Sequence, residues 1–251
     1  MEIMGRAAST VLVLLGAAPT RFEPGPMGEA LLEHLVKGLS DAAVGEWASY
    51  QLIRADGRTS HWRLAAVGQE TDQRGRPALW IEMEIGQHAE SAAPLAQIRM
   101  LVANRSGSKA DAISRLIVAV GADPPQEVPP HSLGALRREL RSAPASRNPE
   151  RADGIAIHSG QESSVMTGAG TIRSTPIEIL HLGTVIQRIW IARRVPLLHL
   201  SKLEVPAIGY SMVVAAFGRD ATPRIALPST RPRAIAFEPT GIDGADAGQE
   251  E

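Results

Sequence analysis

Hydrophobic positions recur at every second residue through most of the chain, the period of a strand with one face in a core. The clearest instance is "ALWIEMEIGQH", where Leu79, Ile81, Met83 and Ile85 alternate with Trp80, Glu82 and Glu84, so one face is dry and the other mixed. Before it, "EWASYQLIRADGRTSHWRLAAV" sets Asp56-Gly57 between two runs rich in Trp, Tyr, Ile and Leu. That dipeptide suits a type I′ hairpin turn. A second turn, "DQRGRP", leads into the alternating run, and the three segments read as a meander. "PLAQIRMLVA" and "AISRLIVAVG" follow; the second is read as a strand because β-branched residues fill it and Gly121 to Pro125 stops it.

The second half carries more strand patterns: "GIAIHSG", "SSVMTGAGTIRSTPIEILHLG", "VIQRIWIARRV", "LLHLSKLEV" and "YSMVVAAFGRD". Within "IWIARRVPLLHLSKLEV", period two puts Ile189 and Ile191 on the interior face and Trp190 with Arg188 on the opposite one. Pro196 donates nothing to a ladder, so the Val195-Pro196 step is expected at a strand end or edge, where the chain turns before Leu198.

Two stretches break the strand period. From Met27 to Ala43, Leu31, Leu32, Leu35, Val36 and Leu39 follow a 3, 4, 7, 8 spacing, which predicts an amphipathic helix covering the concave face of a sheet. Between Pro124 and Pro149 prolines frame a single helical candidate, Ser132 to Leu140, and the stretch reads as a surface excursion. Past Ala226 the sequence loses periodicity and ends acidic and Gly-rich, which predicts a disordered tail over 229–251.

Composition narrows the classes. The 251 residues, 44% hydrophobic and 21% charged, suffice for one all-β domain with a real core, set at 21–228 with the proline-rich excursion near 123–150. A net charge of -1 without a basic block excludes the electrostatic footprint of a nucleic-acid binder. The absence of cysteine removes disulfides, thiolate metal sites, Cys nucleophiles and a lipidated N-terminal cysteine. At the N-terminus, Arg6, an apolar run from Ala7 to Leu15 and the small residues Gly16, Ala17 and Ala18 follow the order of a secretory signal over 1–20, although Glu2 and Pro19 depart from it. The run is too short to span a bilayer, which takes about 20 apolar residues.

Taken together, "GAGTIRSTPIEI", "VIQRIWIARRVPLLHLSKLEV" and "YSMVVAAFGRDA" resemble the C-terminal part of envelope proteins related to the LolA/LolB-like lipoprotein-carrier half-barrel superfamily. The residues that carry the resemblance are Gly170, Thr171 and Ile172, then Ile189, Trp190 and Ile191, then Val195-Pro196 and Lys202. "MLVANRSGSKADAISRLIVAVGADPPQEVP" looks like the middle of bacterial envelope proteins of this kind. The resemblance implies a strongly curved antiparallel sheet wrapped round helices, with an apolar cavity that accepts acyl chains. Two departures stand against it: one helix by pattern where a carrier has several, and few long aromatic residues.

No string carries a catalytic signature. Glu82 and Glu84 share a face as paired carboxylates do, but an exposed polar face of an antiparallel strand explains both. The seven histidines show no metal-ligand spacing, and only His61 and His88 fall on neighbouring predicted strands. "HSGQESSVMTG" lacks the nucleophile frame, and "GAGTIR" lacks the lysine of a phosphate loop. Arg188, Arg193 and Arg194 suit anionic headgroups or the protection of a sheet edge. Trp47, Trp62, Trp80 and Trp190, with Tyr50 and Met83, are the candidate lining of a ligand cavity, since large rings join apolar area to a polar tip; core packing is the competing explanation.

The expectation is a mainly β (α+β) protein, a curved antiparallel sheet or half-barrel with an N-terminal covering helix, exported to the periplasm or cell envelope. It binds or carries lipid or lipoprotein, is not an enzyme and needs no cofactor. Its expected partners are a lipid or acyl chain, an envelope protein and, peripherally, the membrane, with no nucleic acid. The alternatives are an envelope assembly protein using its sheet surface or edge, and an enzyme whose site forms only in three dimensions. N-terminal sequencing of protein from fractionated cells should find the first 18 to 20 residues removed, about the usual signal length; a mature chain starting at Met1 contradicts the export signal.

Overall fold

A computed structural model describes residues 42–87, 94–103, 112–134 and 154–228. The expected helix from Met27 to Ala43 and the signal and tail segments lie outside the described residues, apart from Ala42 and Ala43. What is described is mainly β: one curved, open antiparallel sheet of twelve strands. The strands are β1 (Trp47–Ile53), β2 (Thr59–Thr71), β3 (Pro77–Gly86), β4 (Ala96–Ala103), β5 (Ile113–Val120) and β6 (Gln126–Glu127) in the first half. The second half supplies β7 (Ile155–Ser159), β8 (Ser163–Thr167), β9 (Gly170–His181), β10 (Thr184–Ile191), β11 (Leu200–Val205) and β12 (Tyr210–Gly218). Their order is β6-β5-β4-β3-β2-β1-β12-β11-β10-β9-β7, with β8 pairing β9. Two meanders are thus joined where the last strand lies beside the first.

Alternation sorts the side chains onto two faces as the pattern predicts. The larger core lies on what we term the inner face, with Tyr50, Leu64, Ile81, Met83, Ile98 and Leu116 from the first half and Ile179, Ile189, Leu203 and Val214 from the second. On the outer face a smaller cluster unites Ala65, Val67, Trp80, Leu101 and Ile117 with Ile225, beyond the last strand. Ile189 pairs with Leu203 and Ile177, and Trp190 pairs with Lys202 and Pro176 on the opposite face.

Several local expectations are revised. The turn at Asp56-Gly57 is not type I′: Gly57 N–H donates to Arg54 O at 2.9 Å and only Gly57, at φ 75°, takes the left-handed conformation. This is a three-residue hairpin connection with glycine at its left-handed position. Gly75, at φ 74°, plays the same part after Asp72. The proline-rich stretch begins as part of the sheet, since β6 pairs β5 and Val128 N–H donates to Leu116 O at 2.8 Å; a helical turn over 130–134 then buries Leu133.

The Val195-Pro196 step ends no strand, since β10 stops at Ile191 and β11 begins at Leu200; it lies inside the connecting loop, which turns inward, with Val195, Leu197 and Leu198 all buried in the inner core. Leu198 N–H donates to Pro196 O at 2.9 Å across Leu197, whose φ is 67°, which is a strained γ-turn for a residue other than glycine. His199, at φ 49°, is also left-handed, and its Nδ1 lies 2.9 Å from Val195 O. The β8–β9 hairpin covers the same region, with Ile172 in the core, Ser174 Oγ 2.7 Å from Ser201 Oγ, and Gly168 N–H donating to Val214 O at 3.1 Å.

Asp72 holds the β2–β3 hairpin. Its Oδ1 accepts the backbone N–H groups of Arg74 and Arg76 at 2.9 and 2.8 Å, and its Oδ2 pairs with the Arg76 guanidinium at 2.7 Å. Burial pushes its pKa up, but the Arg76 side chain and the two backbone donors pull it down further, and the net result lies below the ordinary 3.8. A depressed folded-state pKa gives stability that is complete above the unfolded value and disappears as pH falls through the folded one. Asp72→Asn should therefore lower the melting temperature at neutral pH, and the gap to wild type should close as pH falls below the ordinary carboxylate value of 3.8; a gap independent of pH contradicts the assignment.

Candidate functional site

The side chains with the most distinctive chemistry lie on the outer face of β2, β3 and β4, beneath the segment that follows β12. Glu82 and Arg99 are cross-strand partners in the ladder, as are Glu84 and Arg63. Glu82 is 0% exposed and Arg99 7%, with 3.4 Å between Oε1 and the Arg99 guanidinium. Sequence reasoning expected Glu82 on a solvated face, and the structure corrects this. Residues 221–228 cross the outer face as a strap, and its backbone completes the site: Arg224 N–H donates to Glu82 Oε2 at 2.9 Å and Ile225 N–H to Oε1 at 3.2 Å. Arg99 in turn donates to Ile225 O at 2.6 Å.

The Ile225 side chain, 2% exposed, fills a hole among Ala65, Val67, Ala78, Trp80, Leu101 and Ile117. Burying a side chain of this size contributes about 1.5–3 kcal/mol. Arg224 reaches Glu84 at 3.1 Å, and Arg63 approaches the same carboxylate at 3.6 Å. Burial, then repulsion from Arg224, lowers the Arg63 pKa; burial lowers that of Arg99 against the pull of Glu82. Both remain cations, because the ordinary arginine value is so high.

Two indoles frame the strap. Trp80 Nε1 donates to Glu70 at 2.8 Å, and the Arg99 and Arg115 guanidiniums stand 4.8 and 5.0 Å from its ring centroid. Arg115 is anchored by Glu127 of β6 at 2.7 Å, a bond that raises its pKa. Trp47 Nε1 donates to Asp220 at 2.7 Å, which holds that carboxyl below its ordinary 3.8. The Trp47 ring also lies on Gly218, where a Cβ would stand 2.7 Å from Nε1, so only glycine lets the chain leave β12 in this direction.

The six predicted lining residues do not share a surface. Tyr50, Trp62 and Met83 are on the inner face, where Tyr50 pairs with Trp62 in the ladder. Trp47 and Trp80 are on the outer face beside the strap. Trp190 is on the outer face of the second half, with Lys202 Nζ 4.9 Å from its ring centroid and Arg188 bonded to Glu178 at 2.8 Å nearby. Arg193 and Arg194 are exposed, and Arg194 lies over Phe217 at 5.7 Å. His88 lies outside the described residues, and among the described residues no group of three metal-binding side chains converges.

On the inner face the Tyr50 hydroxyl and Gln187 Oε1 are buried without a hydrogen-bond partner. Burial drives the Tyr50 pKa far above the ordinary 10.0, so the phenol is neutral at any physiological pH. Sequence reasoning passed over Gln187, Arg99 and Ile225. The available signal for the first two was a single polar residue on the apolar or semi-apolar face of a strand, as in "VIQRIW" and "QIRML".

The class these features define is an open antiparallel sheet with a polar outer platform and an apolar inner face. No protein-family model matches the sequence, and no curated protein matches it. Among solved structures, a Bacteroides fragilis protein described as exported and as YmcC-like in fold is similar with a TM-score of 0.32 and 11% identity, over 70% of this chain and 97% of that one. The Pseudomonas aeruginosa MucA/MucB complex gives 0.32 and 11%, over 78% of this chain and 58% of that one. A DUF1329 family protein from Desulfovibrio piger gives 0.27 and 11%, over 75% and 90%. Likeness at this level carries no weight for function.

Replacing Glu82 tests the platform. Glu82→Ala leaves the Arg99 charge buried and two strap N–H groups without an acceptor, and should cost about 3–5 kcal/mol in urea denaturation. A loss under about 1 kcal/mol, the worth of a surface pair, contradicts the burial.

Proposed function

We propose that the protein is an exported envelope protein that holds the apolar chain of a lipid or lipoprotein against the inner face of its sheet, without performing chemistry on it. The observation that carries this reading is Tyr50: a neutral phenol in the middle of an apolar face, wholly buried, with its hydroxyl unpaired. An unsatisfied buried hydroxyl costs about 1–3 kcal/mol, and a ligand with an apolar body and one acceptor would recover that energy. Trp62 and Met83 extend the apolar surface beside it, and Gln187 offers a second unpaired polar atom further round the face. The Val195–Leu198 loop is the element that would yield to an incoming chain, since its γ-turn is the strained part of the inner face. Export and an envelope location rest on the signal pattern over 1–20 and on the carrier-like strand motifs.

A second reading, a protein whose surface engages another envelope component, is favoured by the outer platform, which already grips an extended segment of chain. A fluorescent acyl-chain analogue titrated into the full-length protein separates the two. Saturable binding weakened about 3- to 10-fold by Tyr50→Phe supports the first, because one hydrogen bond to a neutral group is worth about 0.5–1.5 kcal/mol. No binding by the wild type moves the assignment to the second.

A further inference from the structure

The strap is bound as a peptide is bound. Glu82 spreads its two oxygens over consecutive backbone N–H groups, Arg99 takes the carbonyl between them and the next residue, and one side chain, Ile225, enters an apolar hole. None of these contacts requires a particular residue except the last. The docked segment needs two non-proline N–H groups in a row and a branched apolar side chain on the second of them. Arg99 Nε is buried without a partner, so the platform's donors exceed what the strap uses. Leu227, further along the strap, is about half exposed.

The sequence holds a second segment that meets those requirements. The strap reads Pro223-Arg224-Ile225-Ala226-Leu227-Pro228, and further along comes Pro232-Arg233-Ala234-Ile235-Ala236-Phe237-Glu238-Pro239. Both open on Pro-Arg, both carry Ile-Ala followed by a large apolar residue, and both end on proline. By sequence alone, Ala234 and Ile235 are two consecutive non-proline residues, the second of them branched and apolar, as the groove requires. Arg233 keeps a cation close to the position from which Arg224 reaches Glu84. The chain thus carries one segment of this pattern docked on the platform and repeats the pattern further along its sequence.

We propose that the outer face of β2–β4 is a docking groove for extended Ile-Ala-apolar segments, and that its exchange occupant is the Pro232–Pro239 segment of a second copy of this chain, which displaces the resident strap. A second copy is favoured because residues 221–228 already fill the groove of their own chain, so the following segment finds an open groove as the strap of another molecule lifts. The linkage repeats from molecule to molecule, one copy offering its C-terminal segment and the next its groove. The resident strap competes with it, so association is weak until the strap is loosened.

The test is sedimentation velocity over a concentration series on the full-length chain, together with fluorescence anisotropy of a labelled peptide spanning 230–240. Concentration-dependent association of the wild type, lost in Ile235→Asp and in a chain ending at Pro228, is the expected result; neither change touches a described residue. Ile225→Ala, which empties the hole, should tighten peptide binding about tenfold or more, and the same peptide carrying Ile235→Asp should not bind. Should Ile225→Ala fail to fold, the Ile235→Asp comparison decides alone. Identical sedimentation of the wild type and Ile235→Asp overturns the proposal. Peptide binding without self-association also overturns it, since the segment then docks within its own chain.

Discussion

A carboxylate removed from water must find its charge balance and its hydrogen bonds inside the fold, and Glu82 finds both at once. Its counter-ion is its ladder partner Arg99, and its donors are two N–H groups from a segment 142 residues further along the chain. Each part is necessary to the others. Without the strap the ion pair would face water and need no further partner; without the ion pair the strap's backbone groups would lie unpaired over an apolar cluster. This one junction fixes where the chain goes after β12, and so which side of the sheet is closed by the C-terminal segment.

The junction also shows what the sequence discloses and what it hides. The strands were legible because alternation is local: Leu79, Ile81, Met83 and Ile85 face one way whatever lies beyond. The fate of the other face was not, because it depends on what covers it. Glu82 and Glu84 carry the signature of a solvated face, and so they would be but for residues 221–228, which lack any period of their own. Extended chain that binds through its backbone leaves little mark in side-chain pattern. The mark was instead in the partner strands, where Glu82 faces Arg99 and Arg63 faces Glu84, but reading it requires the register first. The same dependence explains the aromatic set. Period two already divides Trp80 from Met83, and only an assumed cavity grouped them.

The interrupted stretch between β10 and β11 illustrates a different limit. Proline correctly marks a stretch outside the ladder between β10 and β11, yet local rules do not say whether that loop turns out or in. Here it turns in, because Val195, Leu197 and Leu198 are apolar and the inner face of the second half offers them a dry site. The left-handed conformations of Leu197 and His199 are the cost of packing four consecutive residues there without a glycine. A loop that holds such strain is fixed by its surroundings more than by itself, so its conformation depends on the inner core staying packed around it.

The two faces are linked through a shared backbone. Glu82 and Met83 are neighbours in β3, one gripping the strap and the other in the inner core, and Arg99 stands between Ile98 and Met100 in the same way on β4. A one-residue slip of either strand would bring the buried charges into the apolar core and the apolar side chains out beneath the strap. The ion pair therefore sets the register of β3 against β4 more sharply than apolar alternation does, since Leu, Ile and Met tolerate exchange of place while a buried carboxylate and guanidinium do not. Any event that loosened the strap would weaken that register constraint from the outer side and soften the inner face from behind. The strap's hold on the outer face and the packing of the inner core are in this way two consequences of the same pair of strands.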